Sequence, residues 1–152
     1  MANEVNIYVY TTVKGPKKRP GAYAYLLEAE TSRGPAKLSD TGYLEAATEH
    51  QAELVALGAA LKRMYKRSSL KIYTDSVHVA AGAEKWMLNI WRKNGWKNAK
   101  GETVANRQEW EELAAMLDEH RYQFIVGQKH KYYEWLKSEA GKVGKNVYSG
   151  KH

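Results

Sequence analysis

The amino-acid sequence predicts a single α/β domain in which helices flank a five-stranded mixed sheet, three antiparallel strands being followed by two parallel ones. The first third of the chain carries β-branched and aromatic residues between turns that contain Gly and Pro. From Thr48 onward, leucines recur at helical spacing, and short β-rich runs then alternate with helical stretches. A length of 152 residues, 43% of them apolar, suits one domain with its own hydrophobic core.

The first part of the chain is predicted to form a meander of three antiparallel strands. Residues 4–12 are rich in β-branched and aromatic side chains, and the turn that follows at 14–21 contains two Pro and two Gly. A second turn at 32–35 separates two further strands, which are placed at 22–30 and 37–44.

The second part of the chain is predicted to be mainly helical. Thr48 and Gln51 fit a capping box at the start of a helix whose apolar stripe runs from Leu54 to Met64. The elements predicted after it are a strand at 70–74, a helix at 77–91, a helix capped by Asn106, a strand at 122–126 and a helix at 132–140. The domain is expected to span residues 1–141, with residues 142–152 as a flexible tail.

The composition excludes several classes of protein. A chain without cysteine has no disulfide scaffold, no thiolate zinc site and no cysteine nucleophile. No apolar run approaches the ~20 residues that span a bilayer, and the first residues lack the basic and apolar regions of a secretory signal. We therefore expect an intracellular protein, cytoplasmic or nucleoid-associated, without a membrane partner.

The charge balance favours a polyanionic partner. Twenty-four Lys and Arg residues stand against 17 Asp and Glu, which gives a net charge of +7. A basic surface of this kind is typical of proteins that meet nucleic acid, although it also serves plain solubility.

One segment concentrates this charge together with aromatic residues. It runs from Lys85 to Gly101 and contains five basic residues and no acid. Its basic and aromatic members are Lys85, Trp86, Trp91, Arg92, Lys93, Trp96, Lys97 and Lys100. Basic side chains neutralise phosphates and flat aromatic rings pack against sugars or bases. We expect the lysines to contact phosphate and Trp86 to pack against the domain; the alternative is that the lysines form only a solvated face.

Three carboxylates stand where a carboxylate has no evident structural use. Glu53 shares a helix face with apolar residues, Asp75 closes the fourth strand, and Glu134 lies near the start of the last helix. Converging carboxylates are the oxygen ligands that Mg²⁺ prefers. The alternatives are a helix N-cap for Asp75 and ordinary helix-face charges for Glu53 and Glu134.

Several of these stretches resemble type 1 ribonuclease H, in the form that carries a basic protrusion. The matching stretches are residues 6–12, 48–54, 72–76 and 85–97, followed by 104–106 and Trp110. The resemblance implies a domain that grips an RNA–DNA hybrid and hydrolyses its RNA strand with two divalent ions. It also implies that Thr48 and Asn106 hold a phosphate of the DNA strand.

The resemblance further implies four metal-binding carboxylates, of which this chain keeps only some. Glu53 stands at the second position and Asp75 at the third, whereas Glu134, or else Glu139, takes the fourth. At the first position, where the family has a metal-bridging Asp, the sequence has Tyr10, with no acid within five residues on either side.

A neutral phenol does not replace a bridging carboxylate. Hydrolysis is therefore predicted to be lost or severely weakened, with Mg²⁺ or Mn²⁺ held at most weakly by Glu53 and Asp75, while binding of hybrid or double-stranded nucleic acid is kept. Two alternatives remain open: an active ribonuclease H with a rebuilt metal site, and a scaffold for a protein partner, for which the 11 tyrosines would suit an interface.

Overall fold

The computed structural model describes residues 3–149, which fold into strands and helices in the predicted order. The strands are β1 (Asn3–Thr11), β2 (Arg19–Thr31), β3 (Gly34–Ala47), β4 (Ser68–Thr74) and β5 (Arg121–Val126). The helices are α1 (Glu49–Leu61), α2 (Val77–Gly82), α3 (Lys85–Lys93), α4 (Arg107–Leu117) and α5 (Tyr133–Ser149).

The five strands form one mixed sheet in the order β3-β2-β1-β4-β5. The pairs β1–β2 and β2–β3 are antiparallel, whereas β1–β4 and β4–β5 are parallel. The predicted arrangement of three antiparallel strands followed by two parallel ones is therefore confirmed. Because β1 is central, its side chains point alternately to two covered faces of the sheet.

Each face of the sheet has its own core. On one face, Ile7 and Val9 of β1 pack with Leu54, Leu57 and other buried residues of α1 and α4. On the opposite face, Tyr8 and Tyr10 pack with Leu136 beneath α5. The period-2 alternation of β1 thus sends its two tyrosines to the face that α5 covers.

The predicted helix over 77–91 is two helices. α2 ends at Gly82 and α3 begins at Lys85, with Glu84 between them in an extended conformation (φ −58°, ψ 137°). A Cβ atom at Gly82 would lie 2.7 Å from the Trp110 ring, so close packing against α4 fixes this point of the chain. The periodicity over residues 77–91 does not reveal this break.

The last helix is longer than predicted, since α5 continues past Gly141 to Ser149. Val143 packs against the apolar cluster beneath α5 and so extends its inward face beyond the predicted end. Residues 150–152 of the expected tail lie outside the described residues, and the boundary at residue 141 stays a prediction. In the described part of the chain, α5 and the other helices are too short or too polar to cross a bilayer.

Candidate active site and nucleic-acid interface

The side chain of Tyr10 lies near two of the three carboxylates that the sequence singled out, Asp75 and Glu134. Burial raises the pKa of Tyr10, and the nearby negative charges of Asp75 and Glu134 raise it further. The phenol therefore stays protonated and neutral at physiological pH. Its ring is 8% exposed and meets the Tyr133 ring edge-on at a centroid distance of 5.6 Å.

Glu53 is buried next to the end of β4. It projects from α1 and is only 2% exposed, and its Oε2 accepts a hydrogen bond of 2.9 Å from Thr74 Oγ1. Burial raises the pKa of Glu53 to about 7, against the lowering effects of the Thr74 hydrogen bond and the Lys14 charge. A solvated helix-face charge is therefore the wrong reading of Glu53.

Asp75 is exposed at the end of β4 and does not cap α2. The cap is Ser76, whose Oγ accepts a hydrogen bond of 3.1 Å from the Val79 N–H. The interpretation of Asp75 as an N-cap is therefore wrong. The negative charge of Asp75 raises the pKa values of Tyr10, Tyr133 and Glu53, although burial contributes more to each of these shifts.

The two candidates for the fourth carboxylate lie in different surroundings. Glu134, in the first turn of α5, lies close enough to raise the pKa of Tyr10. Glu139 instead borders a pocket with Asp40 and Trp135, and its Oε2 pairs with Lys142 at 2.9 Å. Of the two, Glu134 is the one that the structure brings to the carboxylate cluster.

Thr48 caps α1 as predicted, since its Oγ1 accepts a hydrogen bond of 3.2 Å from the Gln51 N–H. The reciprocal half of the capping box is missing: Gln51 Oε1 is a buried atom without a hydrogen-bond partner. Glu49 is used instead to hold the turn after β1, accepting a hydrogen bond of 2.8 Å from the Gly15 N–H.

Asn106 stands at the N-cap position of α4 but does not cap it with its side chain. Its backbone is left-handed (φ 61°, ψ 36°), and its side chain makes no capping hydrogen bond. The predicted capping role is therefore wrong, because an N-cap side chain requires an extended backbone to reach back to the helix. The half-buried amide lies at the start of α4 without that bond.

The Trp- and Lys-rich segment divides into a packed part and an exposed part. Trp91 packs edge-on against the buried Trp110 ring at 5.2 Å and against Trp96 at 6.0 Å. Trp86 is 60% exposed, so the expectation that it packs against the domain is wrong. The five basic residues of the segment are exposed, and one of them, Arg92, forms an ion pair of 3.0 Å with Asp118.

Sequence reasoning missed a stacked histidine pair beside this site. His50 on α1 and His78 on α2 stack at a centroid distance of 4.0 Å with an angle of 8° between the ring planes. Burial and the neighbouring His50 lower the pKa of His78. No spacing signal joins these residues, because only the packing of α2 against α1 brings them together.

It also missed an aromatic cluster that holds the segment before α5. The Tyr8 ring stacks on Tyr73 at 4.6 Å and touches His130 at 4.5 Å. His130 Nδ1 accepts a hydrogen bond of 3.2 Å from the Tyr132 N–H, so this histidine is part of the packing. Two tyrosines of this cluster, Tyr8 and Tyr132, donate hydrogen bonds to the Glu28 carboxylate. Burial alone would raise the pKa of Glu28, but its hydrogen bonds, of which the one from Tyr132 has the largest effect, lower the pKa to about 2.

Comparison with known proteins identifies the domain. The RNase H family model matches residues 2–140 of the chain. The chain belongs to the RNase H family. A ribonuclease H of Citrobacter koseri is 31% identical over 141 residues, which cover 93% of this chain and 81% of that protein. This RNase H therefore has a recognisable bacterial relative along most of its length.

Solved structures show the same fold. LC9-RNase H1, a type 1 RNase H with the type 2 active-site motif, is similar with a TM-score of 0.74 at 20% identity, covering 93% of this chain and 74% of that one. The foamy viral protease-reverse transcriptase in complex with RNA/DNA hybrid is similar with a TM-score of 0.67 at 17% identity, covering 93% of this chain and 20% of that one.

The centre of this RNase H does not fit a pair of divalent ions. A bridging ligand must be anionic, and Tyr10 carries a neutral phenol in that place. Glu53 is buried and already accepts a hydrogen bond from the Thr74 hydroxyl, and burial raises its pKa to about 7. Among the described residues, no three His, Cys, Asp or Glu side chains form a group that could hold a metal ion.

Proposed function

We propose that this RNase H binds RNA–DNA hybrid or duplex nucleic acid and that its hydrolysis of RNA is lost or severely weakened. The observation that carries the proposal is the buried, neutral Tyr10 beside the carboxylates of Asp75 and Glu134. Two-metal hydrolysis needs anionic side chains to hold its ions, and their loss removes several kcal/mol of barrier lowering. Binding needs none of this, because phosphate contacts come from other parts of the surface.

The exposed part of the Trp- and Lys-rich segment supports binding. Its lysines lie in solvent beside the exposed Trp86 ring, a combination that neutralises phosphates and offers an apolar face to a sugar or base. The net charge of +7 adds long-range attraction for a polyanion. The likeness to a foamy viral protease-reverse transcriptase in complex with RNA/DNA hybrid agrees with this partner.

Two neutral side chains, those of Thr48 and Asn106, can donate hydrogen bonds to a backbone phosphate. The Thr48 hydroxyl accepts the Gln51 N–H, which leaves its own proton to donate. The Asn106 amide makes no capping hydrogen bond and can donate as well. Neutral donors of this kind fix the register of a nucleic acid without adding charge.

Fluorescence anisotropy of a labelled RNA–DNA hybrid tests the binding, with a DNA duplex of the same sequence beside it. We expect affinity to fall steeply between ~50 and 200 mM salt, because bound phosphates release counterions. Lys93→Ala should reduce the salt slope by about 1. The control is Lys66→Ala, which removes an exposed lysine that precedes β4, at the strand end opposite to Asp75.

Salt-independent binding would contradict phosphate contacts, and an absence of binding at low salt would favour a scaffold for a protein partner instead.

The second candidate function is an active ribonuclease H with a rebuilt centre. It is favoured by the charge of Asp75, which acts on both Glu53 and Tyr10, and by Glu134, which also acts on Tyr10. In that case the unmodified chain cuts the hybrid in Mg²⁺ or Mn²⁺, and the cutting disappears in Glu53→Gln.

A further inference from the structure

A lysine ammonium lies against the face of Tyr10. Lys14 follows β1 in the chain, and its Nζ lies over the Tyr10 ring, 5.0 Å from the centroid. This distance is within the range of a cation–π contact. Since the pKa of Tyr10 responds, after burial, to Asp75 and Glu134, the ammonium lies at the edge of the same acidic cluster.

The turn that carries Lys14 is fastened to α1. The Gly15 N–H donates to Glu49 Oε1 at 2.8 Å, and the Glu49 N–H donates to the Gly15 carbonyl oxygen at 3.0 Å. Gly15 has a φ of +91°, a conformation that glycine adopts without strain. These two bonds fix the backbone next to Lys14 relative to the helix that carries Glu53.

The lysine acts on the cluster through space. Among the ion pairs of the described residues within 4.0 Å, none uses Lys14. Its charge nevertheless lowers the pKa of Glu53, an effect ranked after burial and the Thr74 hydrogen bond. Lys14 is therefore a counter-charge to the buried carboxyl group and not one half of a surface salt bridge.

We propose that Lys14 is a built-in counter-ion that takes the place of the divalent cations of an RNase H centre and opposes their binding. Two features of this chain then act together. Tyr10 leaves the centre without the negative charge of a bridging Asp, and Lys14 places a positive charge beside it. Lys14 is exposed at the edge of the centre, and near a protein surface, where the effective dielectric constant is about 20, its charge still repels a nearby divalent ion. The proposal concerns the centre alone and does not depend on nucleic-acid binding.

The test is a titration with Mn²⁺, in which the free ion is followed by electron paramagnetic resonance. The background is Tyr10→Asp, because that change restores an anionic ligand. On this background, Lys14→Met should raise the Mn²⁺ affinity by about tenfold or more. Lys14→Arg, which keeps the charge, should leave the affinity close to that of Tyr10→Asp alone.

The matched control is Lys17→Met on the same background, which removes an exposed lysine from the same turn. Both lysines are exposed, but Lys14 is the one whose ammonium lies over the Tyr10 ring and whose charge lowers the pKa of Glu53. Lys17→Met should therefore change the affinity by less than about twofold, because solvent and salt screen a more distant charge. Equal effects of Lys14→Met and Lys17→Met would overturn the proposal. So would a Lys14→Met variant that binds Mn²⁺ no better than Tyr10→Asp, or that does not bind it at all.

Discussion

The buried Glu53 should make the stability of the protein fall as the pH rises. Its pKa is raised from an ordinary value of 4.5 to about 7 because the side chain is removed from water. The native state therefore keeps this proton to a higher pH than the unfolded chain does. At 1.36 kcal/mol for each pH unit, the difference amounts to about 3 kcal/mol. The stability that the protonated form provides is full below about pH 4.5 and is lost as the pH rises through about 7.

Glu53→Gln removes this dependence. The amide oxygen can still accept the hydrogen bond from Thr74, and the side chain no longer ionises. Above about pH 8 the variant should be more stable than the wild type by up to about 3 kcal/mol, whereas the gain should vanish below about pH 4.5. For a domain of this size, that gain corresponds to a rise in Tm of about 6–12 °C.

Urea unfolding of both proteins, followed by circular dichroism between about pH 4.5 and 8.5, measures the difference. Groups that titrate alike in the two proteins contribute equally to both unfolding free energies, so their contributions cancel from the difference. Glu134→Gln serves as the control, because it neutralises an exposed carboxylate of the same cluster and should keep the pH dependence of the wild type. A stability difference between Glu53→Gln and the wild type that is the same at both ends of the pH range would show that Glu53 does not titrate with a raised pKa in the native state.

Three further changes test the packing and the surface. Gly82→Ala should lower stability by about 1–3 kcal/mol in thermal melts, since its Cβ would meet Trp110 at 2.7 Å; Gly58→Ala, where the nearest atom is at 3.7 Å, should be neutral or stabilising. Trp86→Ala should weaken hybrid binding in anisotropy assays and leave Tm nearly unchanged, because the ring is 60% exposed. Glu28→Gln should cost about 1–2 kcal/mol at neutral pH; since the pKa of Glu28 is lowered to about 2, urea unfolding should show this cost shrinking as the pH falls from about 4.5 to 2.

Local sequence patterns were enough to predict the sheet and the carboxylates. The alternation in β1 and the short β-rich run of β4 are properties of neighbouring residues, and they specify strands wherever the chain places them. Glu53 and Asp75 could be singled out in the same way. Glu53 lies on the apolar face of α1, and Asp75 directly follows the β-rich run of β4. Thr48 was recognised as a cap by its three-residue spacing to Gln51.

What could not be predicted depends on contacts between distant parts of the chain. Trp86 and Trp91 lie on the same short helix, and only the position of Trp110 decides which of them is buried. Asn106 likewise stands at the N-cap position of α4, but its backbone is left-handed and its side chain makes no capping hydrogen bond. The Lys14 ammonium reaches Tyr10 through a turn that is held by a side chain of α1, an arrangement that spacing alone does not reveal.

Single-turnover cleavage of a labelled RNA–DNA hybrid in Mg²⁺, with the wild type beside Tyr10→Asp, is the most direct test of the missing bridging carboxylate. We expect the wild type to bind the hybrid and leave its RNA strand uncut, and Tyr10→Asp to gain cleavage. Wild-type cleavage as fast as that of Tyr10→Asp, and abolished by Glu53→Gln, would contradict this expectation.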